Sequence, residues 1–253
     1  MSPPRLVSAL ISSPHGFFSR EGGVSKGVFA GLNGSFHSGD APEPVVENRR
    51  RIARALGADH VLTAKQTHSA RALFIDVPFD HDRRPEADAL VTLTPGLAVA
   101  VLTADCVPIL IEGGGMVAAV HAGWRGSLLG IIQSTVDLMA SKGAEPSELR
   151  AVIGPSLRRA SFEVRDDLIA QVTAGFPEAT RHFEALGTGR SLYDHTGFVR
   201  DRLQDAGITA DRIDDVGGDT LAESERYFSY RAAQRRGEKQ FGHNVSAIMV
   251  TLA

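Results

Sequence analysis

Apolar residues in this chain occur mostly in short runs that are separated by polar or glycine-rich segments. Short apolar runs bounded by turn residues are typical of strands, whereas longer stretches with an apolar residue every three or four positions are typical of helices. This pattern predicts strands at 6–12, 61–66, 72–76, 89–93, 98–102, 107–111, 116–120, 151–153, 213–216 and 245–252. It predicts helices at 44–56, 127–140, 164–174 and 192–206, the first of them closed by Gly57 as a left-handed cap.

The order of these elements predicts the fold class. Strands and helices are mixed without a strict strand–helix–strand alternation, and the GxGxxG turn of dinucleotide-binding folds does not follow the first strand. Layered mixed β-sheets with helices on the outside bury such elements well. We therefore predict an α/β (α+β) fold. Because 253 residues without repeats or an obvious linker can share one core, we predict a single domain over 1–253.

Composition excludes several classes of partner. A formal net charge of -3 gives no basic surface for nucleic acid, and the arginines at 49–51 are predicted to form a solvated helix face. No apolar run is long enough to span a bilayer, and the N-terminal segment lacks a signal-peptide pattern. One cysteine excludes an intrachain disulfide and fits the reducing cytoplasm. We expect a cytoplasmic monomer or small homo-oligomer that binds neither nucleic acid nor membrane.

The most informative segment places Cys106, the only cysteine, and His121 at the two ends of a predicted β-hairpin. Its apolar strands, 107–111 and 116–120, flank three glycines at 113–115. A two-residue turn at the first two glycines would put the thiol directly opposite the imidazole, and a three-residue turn would shift the pairing by one position. Opposed residues have Cβ atoms roughly 4.5–5.5 Å apart. That separation suits two ligands of one metal ion, or a thiol beside its base.

Short motifs along the chain carry a family resemblance. In order they are RxGGVS at 20–25, NR at 48–49, QxH at 66–68, ADALVT at 87–92, TADCVP at 103–108, VHAGWRG at 120–126, IGP at 153–155 and FSYR at 228–231. Together they resemble the bacterial laccase-domain family, long labelled multicopper polyphenol oxidase and also called peptidoglycan editing factor. The resemblance runs from about Gly16 to the C-terminus, and the ADC and HAGWRG motifs are its most specific part.

The resemblance implies a fold, a metal site and a set of activities. The fold is a single layered α/β domain of the laccase-domain, cytotoxic necrotizing factor-like type. The metal is one zinc ion on His68, Cys106 and His121. Family members are described as purine nucleoside phosphorylases with adenosine deaminase and methylthioadenosine phosphorylase activity, so purine nucleoside and phosphate are the implied partners. The family is also linked to the removal of wrongly incorporated serine from peptidoglycan precursors, which stays open as an alternative.

Residues in and beside these motifs are candidates for the reacting and binding groups. Asp105 could cap a turn, act as a general base or hold a ligand imidazole, and Asp88 is a second candidate for proton transfer. Arg125 precedes a helix, where it could hold phosphate or form a structural ion pair. Trp124 either packs in the core or stacks on a base, and Arg231 either pairs with a carboxylate or holds phosphate. The predicted catalytic residues are Asp88, Asp105, Cys106 and Arg125, and the predicted substrate-binding residues are Arg20, Asn33, Gln66, Trp124 and Arg231.

The donor set indicates zinc. Two imidazoles and a thiolate suit this ion, and three protein ligands leave a fourth position open, as in catalytic sites. Water bound there reaches a pKa of about 7, and nucleobase deaminases use a related donor set. The same three residues also suit one copper ion. A trinuclear copper cluster, however, commonly uses His-x-His pairs, and the chain has 9 histidines and no such pair; we therefore expect no multicopper electron-transfer chain.

Two other classes of function stay open at this level. One is a thiol hydrolase without metal, with Cys106 as nucleophile and His121 as base. The other is a non-catalytic zinc-binding module that acts through a partner. The chain also departs from the family pattern at Ser156, Asp219 and His243, where the family usually has cysteine, cysteine and arginine. If those positions bind substrate in relatives, substrate choice here differs.

Overall fold

A computed structural model describes residues 2–251, so the last residue of the predicted strand 245–252 lies outside the described residues. The strands are β1 (Arg5–Leu6), β2 (His15–Phe18), β3 (His60–Leu62), β4 (Ala72–Phe74), β5 (Ala89–Thr92), β6 (Leu97–Thr103), β7 (Val107–Gly113), β8 (Met116–Ala122), β9 (Arg150–Ile153), β10 (Glu163–Arg165), β11 (Phe183–Gly187), β12 (Arg190–Tyr193), β13 (Ile213–Asp215) and β14 (Asn244–Met249). The α-helices are α1 (Pro42–Leu56), α2 (Trp124–Leu129), α3 (Ile131–Ser141), α4 (Asp166–Gly175), α5 (His195–Asp205) and α6 (Tyr230–Arg235). No helix within residues 2–251 is long and apolar enough to cross a membrane.

The strands form two large sheets and one small sheet. The five-stranded sheet has the order β1-β2-β14-β6-β3, and the six-stranded sheet has the order β13-β9-β7-β8-β5-β4. Strands β10, β12 and β11 form the small antiparallel sheet. Pairing is parallel for β3 with β6, β4 with β5 and β13 with β9, and antiparallel elsewhere. The prediction of mixed sheets is therefore confirmed.

The two large sheets pack face to face in a four-layer arrangement. Apolar side chains from both sheets fill the space between them, among them Val99, Val101, Leu110, Val117 and Val152. Helix α1 covers the outer face of the five-stranded sheet, and α3 and α5 cover the outer face of the six-stranded sheet. The central strands are buried on both faces, which explains why their sequences are continuous apolar runs and do not alternate with polar residues.

The strongest sequence signals locate the central elements correctly. Helix α1 ends at Gly57, whose φ of 72° makes it the predicted left-handed cap. The predicted helix at 127–140 exists, but it begins at Trp124 and is divided by Gly130, which has a φ of 92°. That division places the start of α2 directly after β8, beside the predicted metal ligands. The prediction of one domain over 1–253 stays a prediction.

Three further predicted elements differ from the structure. The predicted first strand at 6–12 is irregular after Leu6, and β1 forms only a short sheet edge beside β2. The predicted helices at 164–174 and 192–206 each begin as a strand, because their first residues belong to β10 and β12, which pair in the small sheet. Such pairing joins residues far apart in the chain, so local periodicity does not reveal it.

The hairpin of β7 and β8 is present, with a register different from the predicted one. Its turn residues are Gly114 and Gly115, with φ values of 59° and 75°, as a tight two-residue hairpin turn requires. The first glycine, at 113, instead pairs with Met116, so His121 lies opposite Pro108. Cys106 therefore lies one step before β7 and reaches His121 diagonally.

Candidate active site

Three elements of the six-stranded sheet region bring the predicted metal ligands together. His68 lies in the loop after β3, Cys106 lies in the bend between β6 and β7, and His121 lies on β8. Their ligand atoms all lie within 4.8 Å of one another, and the distance from Cys106 Sγ to His68 Nε2 is 3.9 Å. His121 is buried, Cys106 is half-buried and His68 is exposed. The trio therefore has one side buried in protein and one side open to a ligand.

Unusual backbone geometry places two of these ligands. His68 has a φ of 59°, and Asp105, which precedes the cysteine, has a φ of 95°. Non-glycine residues adopt such values at a cost of order 1–3 kcal/mol, and they persist where surrounding contacts hold them. Asp105 is held by hydrogen bonds that its carboxylate accepts from the Thr220 hydroxyl at 2.7 Å and from the Arg231 backbone N–H at 2.7 Å. These bonds tie the cysteine bend to the start of α6.

A single carboxylate, that of Asp88, holds both histidines. The Nδ1 atom of His121 lies 2.8 Å from Asp88 Oδ1 and donates to it, which leaves Nε2 of the ring as the ligand atom. The same carboxylate accepts hydrogen bonds from the backbone N–H groups of Thr67, His68 and Ser69, at 3.2, 3.0 and 2.7 Å. The predicted role of Asp88 in proton transfer is untested. Its position indicates that it orients the two histidines that are predicted to bind the metal.

The charges around the trio favour a thiolate. Burial alone would raise the pKa of Cys106, but the charge and hydrogen bond of His121, together with His68, lower the pKa of the thiol well below its usual value. Burial would likewise lower the pKa of His121, but Cys106 and Asp88 raise it. Burial would raise the pKa of Asp88, yet hydrogen bonds from His121 and Ser69 hold it far below its usual value. A thiolate is the form in which cysteine binds a metal or attacks a substrate.

The space around the trio fits a metal ion. Donors of tetrahedral zinc lie roughly 3.4–3.6 Å apart when bond lengths are about 2.0–2.3 Å, close to the observed sulfur–nitrogen distance. Gly123 adds a second indication, because a Cβ atom built there would come within 2.7 Å of His68 Cδ2 and 3.2 Å of Cys106 Sγ. The structure thus keeps room for the ligands by having no side chain at this position, and the soft donor set suits zinc or copper.

Replacing Gly123 with alanine should weaken metal binding without unfolding the protein. The backbone at Gly123 has a φ of -70° and a ψ of 157°, which alanine adopts readily, so the added methyl group acts only by pushing His68 and Cys106 apart. We expect metal affinity to fall roughly tenfold to a hundredfold, the range typical for disturbed ligand orientation. Titration with a competing chelator measures the change. Gly175→Ala is the matched control, because its Cβ would contact nothing within 4 Å; an equal loss in both variants would contradict this interpretation.

Two cavities meet at the His68–Cys106–His121 trio. The larger has a volume of about 800 Å³ and the smaller of about 440 Å³. Both are lined by His68, Ala104, Cys106 and Tyr230, so a ligand in either one reaches the trio. Cavities of this size are typical of small-molecule sites.

The smaller cavity carries the predicted cationic groups. Trp124, Arg125 and Arg231 line it, and the Arg125 guanidinium lies 4.4 Å from the centre of the Trp124 ring. Across the part of the chain that the structure describes, no carboxylate pairs with Arg125, which is exposed. The Arg231 side chain donates to the Glu163 carbonyl at 3.2 Å. Arg165 also lines this cavity, is exposed and has no carboxylate partner within residues 2–251. Arg125 and Arg165 are thus the guanidinium groups in this cavity that are available to an anion, and Arg125 is the one that the sequence predicts.

Two predicted substrate-binding residues lie elsewhere. Arg20 lines neither cavity, and its guanidinium donates to the backbone carbonyls of Ala30 and Ser224. Asn33 is fully buried and donates to the Ser38 hydroxyl at 2.8 Å. Both side chains hold loops together, so we leave them out of the proposed substrate site.

Gln66 lines the larger cavity, but its side chain is already in use. The Gln66 amide donates to the Leu102 carbonyl and accepts from the Leu102 N–H, both at 2.8 Å. These two hydrogen bonds to β6 fix the loop that leads to His68. Asp105 lines the smaller cavity, and its role in proton transfer stays a prediction.

Sequence reasoning missed one wall of the larger cavity. Tyr230, Phe241 and His243, which we call the aromatic wall, form a continuous row with ring centres 5.4 and 5.1 Å apart. Burial lowers the pKa of His243 to about 4, so its ring is neutral at pH 7. His243 is one of the departures from the family pattern, and that departure was the available signal. Ser156 and Asp219, the other two, line neither cavity.

Comparison with known proteins connects this fold and site to one family. A family model described as multi-copper polyphenol oxidoreductase laccase matches residues 14–251. A purine nucleoside phosphorylase of Deinococcus radiodurans is 40% identical over 210 residues, which cover 81% of this chain and 79% of that protein. One from Corynebacterium glutamicum is 36% identical over 228 residues, covering 88% and 90%. The crystal structure of Neisseria meningitidis protein NMB0706 matches with a TM-score of 0.84 at 32% identity, covering 97% of this chain and 98% of that one.

Proposed function

The chain belongs to the multi-copper polyphenol oxidoreductase laccase family, and we propose that it is a zinc-dependent purine nucleoside phosphorylase that also deaminates adenosine and cleaves methylthioadenosine. Relatives named purine nucleoside phosphorylase support the substrate class. The observation that carries the proposal is the place of the His68–Cys106–His121 trio, where a cavity with an available arginine meets a cavity with an aromatic wall. One cavity suits phosphate and the other suits a purine base.

We propose one zinc ion per chain on this trio, in place of the copper cluster that the family's name suggests. Among residues 2–251, these three form the one group of histidine, cysteine and carboxylate side chains arranged to hold a metal ion. A trinuclear copper cluster needs many more imidazole ligands than the two present here. A zinc ion held by these residues would supply Lewis-acid charge beside the reacting bond. The chemistry of the bound reactants then depends on the residues that hold them.

In phosphorolysis, an oxygen of inorganic phosphate attacks C1′ of the ribose while the bond from C1′ to N9 of the purine breaks. The bonding electrons pass to the purine, which takes up a proton, and the products are the free base and ribose 1-phosphate. Arg125 would hold the phosphate, as a guanidinium binds its oxygens in pairs. The aromatic wall would hold the base by stacking. Placing both reactants against one centre supplies proximity, which is a large part of such catalysis.

Deamination shares the site but consumes no phosphate. Adenosine and water give inosine and ammonia, so the reaction requires the base and the trio but no anion in the smaller cavity. A lone half-buried cysteine used as a metal ligand is compatible with a reducing compartment, and we propose that the enzyme works in the cytoplasm on free nucleosides.

Product analysis tests the proposed reaction. Adenosine incubated with the protein and phosphate should yield adenine and ribose 1-phosphate, together with inosine or hypoxanthine from deamination. Without phosphate, adenine formation should stop and inosine formation should continue. Chromatography separates all of these products. Unchanged adenosine, combined with turnover of muropeptide precursors, would overturn the proposal in favour of peptidoglycan editing.

Replacing Arg125 with alanine should separate the two activities. Loss of one charge-assisted contact costs about 1.5–3 kcal/mol, so we expect the KM for phosphate to rise roughly tenfold to more than a hundredfold. Deamination should fall much less, because it uses no phosphate. Lysine should restore only part of the activity, because it lacks the two-pronged guanidinium. Steady-state kinetics for both reactions measure the effect.

Arg54→Ala is the matched control for this variant, because Arg54 is an exposed arginine of α1 that lines neither cavity. It should leave both reactions unchanged. Equal loss of both activities in the Arg125 variant, with a lowered melting temperature, would mean that Arg125 stabilises the fold and that phosphate binds elsewhere.

A further inference from the structure

A group of basic side chains lines the larger cavity at a distance in sequence from the metal ligands. His37, His81 and Arg84, which we call the basic cluster, come from the loop before α1 and from the segment between β4 and β5. The His37 and His81 rings lie 5.1 Å apart, and the Phe36 ring lies 4.1 Å from His81. The two loops thus meet through adjacent, tilted rings beside an arginine, on the cavity that contains the aromatic wall.

The charges near this cluster are unbalanced toward positive. Arg49 lies behind it against the Phe36 ring at 5.4 Å and donates to backbone carbonyls and a threonine hydroxyl, without a carboxylate partner within residues 2–251. The prediction that Arg49 is solvated is therefore wrong: these hydrogen bonds hold its guanidinium inward, and burial lowers its pKa to about 10. Asp82 is the acidic residue that lines this part of the cavity.

Two further cationic side chains line the larger cavity, and one of them forms an ion pair. Lys65 lines the cavity but forms an ion pair with Glu86 at 2.8 Å. Over the described chain, the Arg84 side chain has neither an ion pair nor a hydrogen bond, although it is half-buried. A half-buried guanidinium that faces a cavity and has no partner on the protein is free to bind an anion there. Arg84 is the strongest single indication that a ligand completes this cluster.

The pKa values of the two imidazoles, His37 and His81, also favour a bound anion. Burial, and then the charge of Arg84, lower the pKa of His37, and the same two causes lower the pKa of His81 to about 4. Both rings are therefore neutral in a positive field. An anion placed between them and Arg84 would offset that field and receive hydrogen bonds from all three side chains.

We infer that the basic cluster binds a phosphate group at the far end of the ligand in the larger cavity. Two sources supply this chemistry: a phosphate ester on the nucleoside, or free inorganic phosphate. The nucleoside part rests on the proposed function, whereas phosphate binding by Arg84, His37 and His81 does not. With an ester, the substrate class widens to nucleoside monophosphates, whose base would lie on the aromatic wall.

The test compares three ligands on the zinc-loaded full-length protein. Calorimetric titration gives the Kd of adenosine 5′-monophosphate and of adenosine, and ³¹P NMR titration gives the Kd of inorganic phosphate. Arg84→Ala is the variant, and Arg83→Ala is the matched control, because Arg83 is the exposed neighbour that does not line the cavity. Among residues 2–251, no side-chain bond holds Arg84, so its removal should leave the fold intact; far-UV circular dichroism checks this.

We expect the monophosphate to bind at least about tenfold more tightly than adenosine, and Arg84→Ala, unlike Arg83→Ala, to remove that difference. Alternatively, inorganic phosphate binds in an Arg84-dependent way and the monophosphate binds no more tightly than adenosine. The basic cluster is then the site for free phosphate, and Arg125 does not bind it. If neither ligand responds to the loss of Arg84, the inference is overturned. If nucleoside turnover alone failed, the proposed function would be refuted. The phosphate titration would still show whether the basic cluster binds phosphate.

Discussion

Replacing Cys106 with alanine is expected to abolish both stoichiometric metal binding and nucleoside turnover. The thiolate is one of the three proposed protein ligands, and a site reduced to His68 and His121 lacks the soft donor that suits zinc. We expect metal affinity to fall by more than about a hundredfold, beyond the range for outer hydrogen-bond partners of a ligand. Elemental analysis and a coupled phosphorolysis assay measure the two losses.

The fold should survive this change, because the cores between and outside the sheets do not depend on the metal. Metal bound only to the native state stabilises it by mass action. The variant should therefore melt at the temperature of the chelated wild type and should not respond to added zinc. Zinc retained at one per chain in the variant would refute the ligand assignment. Turnover that survives chelation but is lost on alkylation of Cys106 would establish the rival thiol hydrolase.

Replacing Asp88 with asparagine should also weaken metal binding strongly, although Asp88 is not among the proposed ligands. An asparagine oxygen can still accept from His121 Nδ1, but its NH₂ group would then face the N–H groups and hydroxyl that now bind Oδ2 at Thr67 and Ser69. The His68 loop would lose its anchor at the same time as His121 loses its charged partner. We expect metal affinity to fall roughly tenfold to a hundredfold, measured by chelator competition.

Metal content distinguishes this role from direct proton transfer. If Asp88 only orients ligands, saturating zinc should restore much of the variant's turnover. If it transferred a proton to substrate, turnover would stay low at full metal occupancy. Asp59→Asn, on an exposed loop, is the control and should change neither quantity.

The chain's central strands and its first helix could be predicted from the sequence, because their signals are local. An apolar run such as 107–111 or a cap such as Gly57 can be recognised from a few neighbouring residues. No local signal determines the hairpin register, because three successive glycines allow several two-residue turns. Packing selects the turn at Gly114 and Gly115. The predicted register was wrong, yet Cys106 and His121 still meet.

The rest of the site depends on contacts between distant segments. Motifs suggested the trio, but spacing along the chain could not show that the Asp88 carboxylate would bind the His68 loop and His121 together. The aromatic wall and the basic cluster likewise join loops that come together only through the packed sheets. Arg20 was a reasonable candidate for substrate binding because it is a cation in a glycine-rich motif. Only the fold reveals that its guanidinium donates to backbone carbonyl groups.

The most direct test of a zinc-dependent phosphorylase relates activity to metal content in one preparation. Protein purified without added metal is chelated, then reconstituted with increasing zinc, and ribose 1-phosphate formation from adenosine is measured at each step. The account predicts activity that rises in proportion to zinc and reaches a plateau at one ion per chain. Phosphorolysis at full rate in metal-free protein, or none at one zinc per chain, would contradict it.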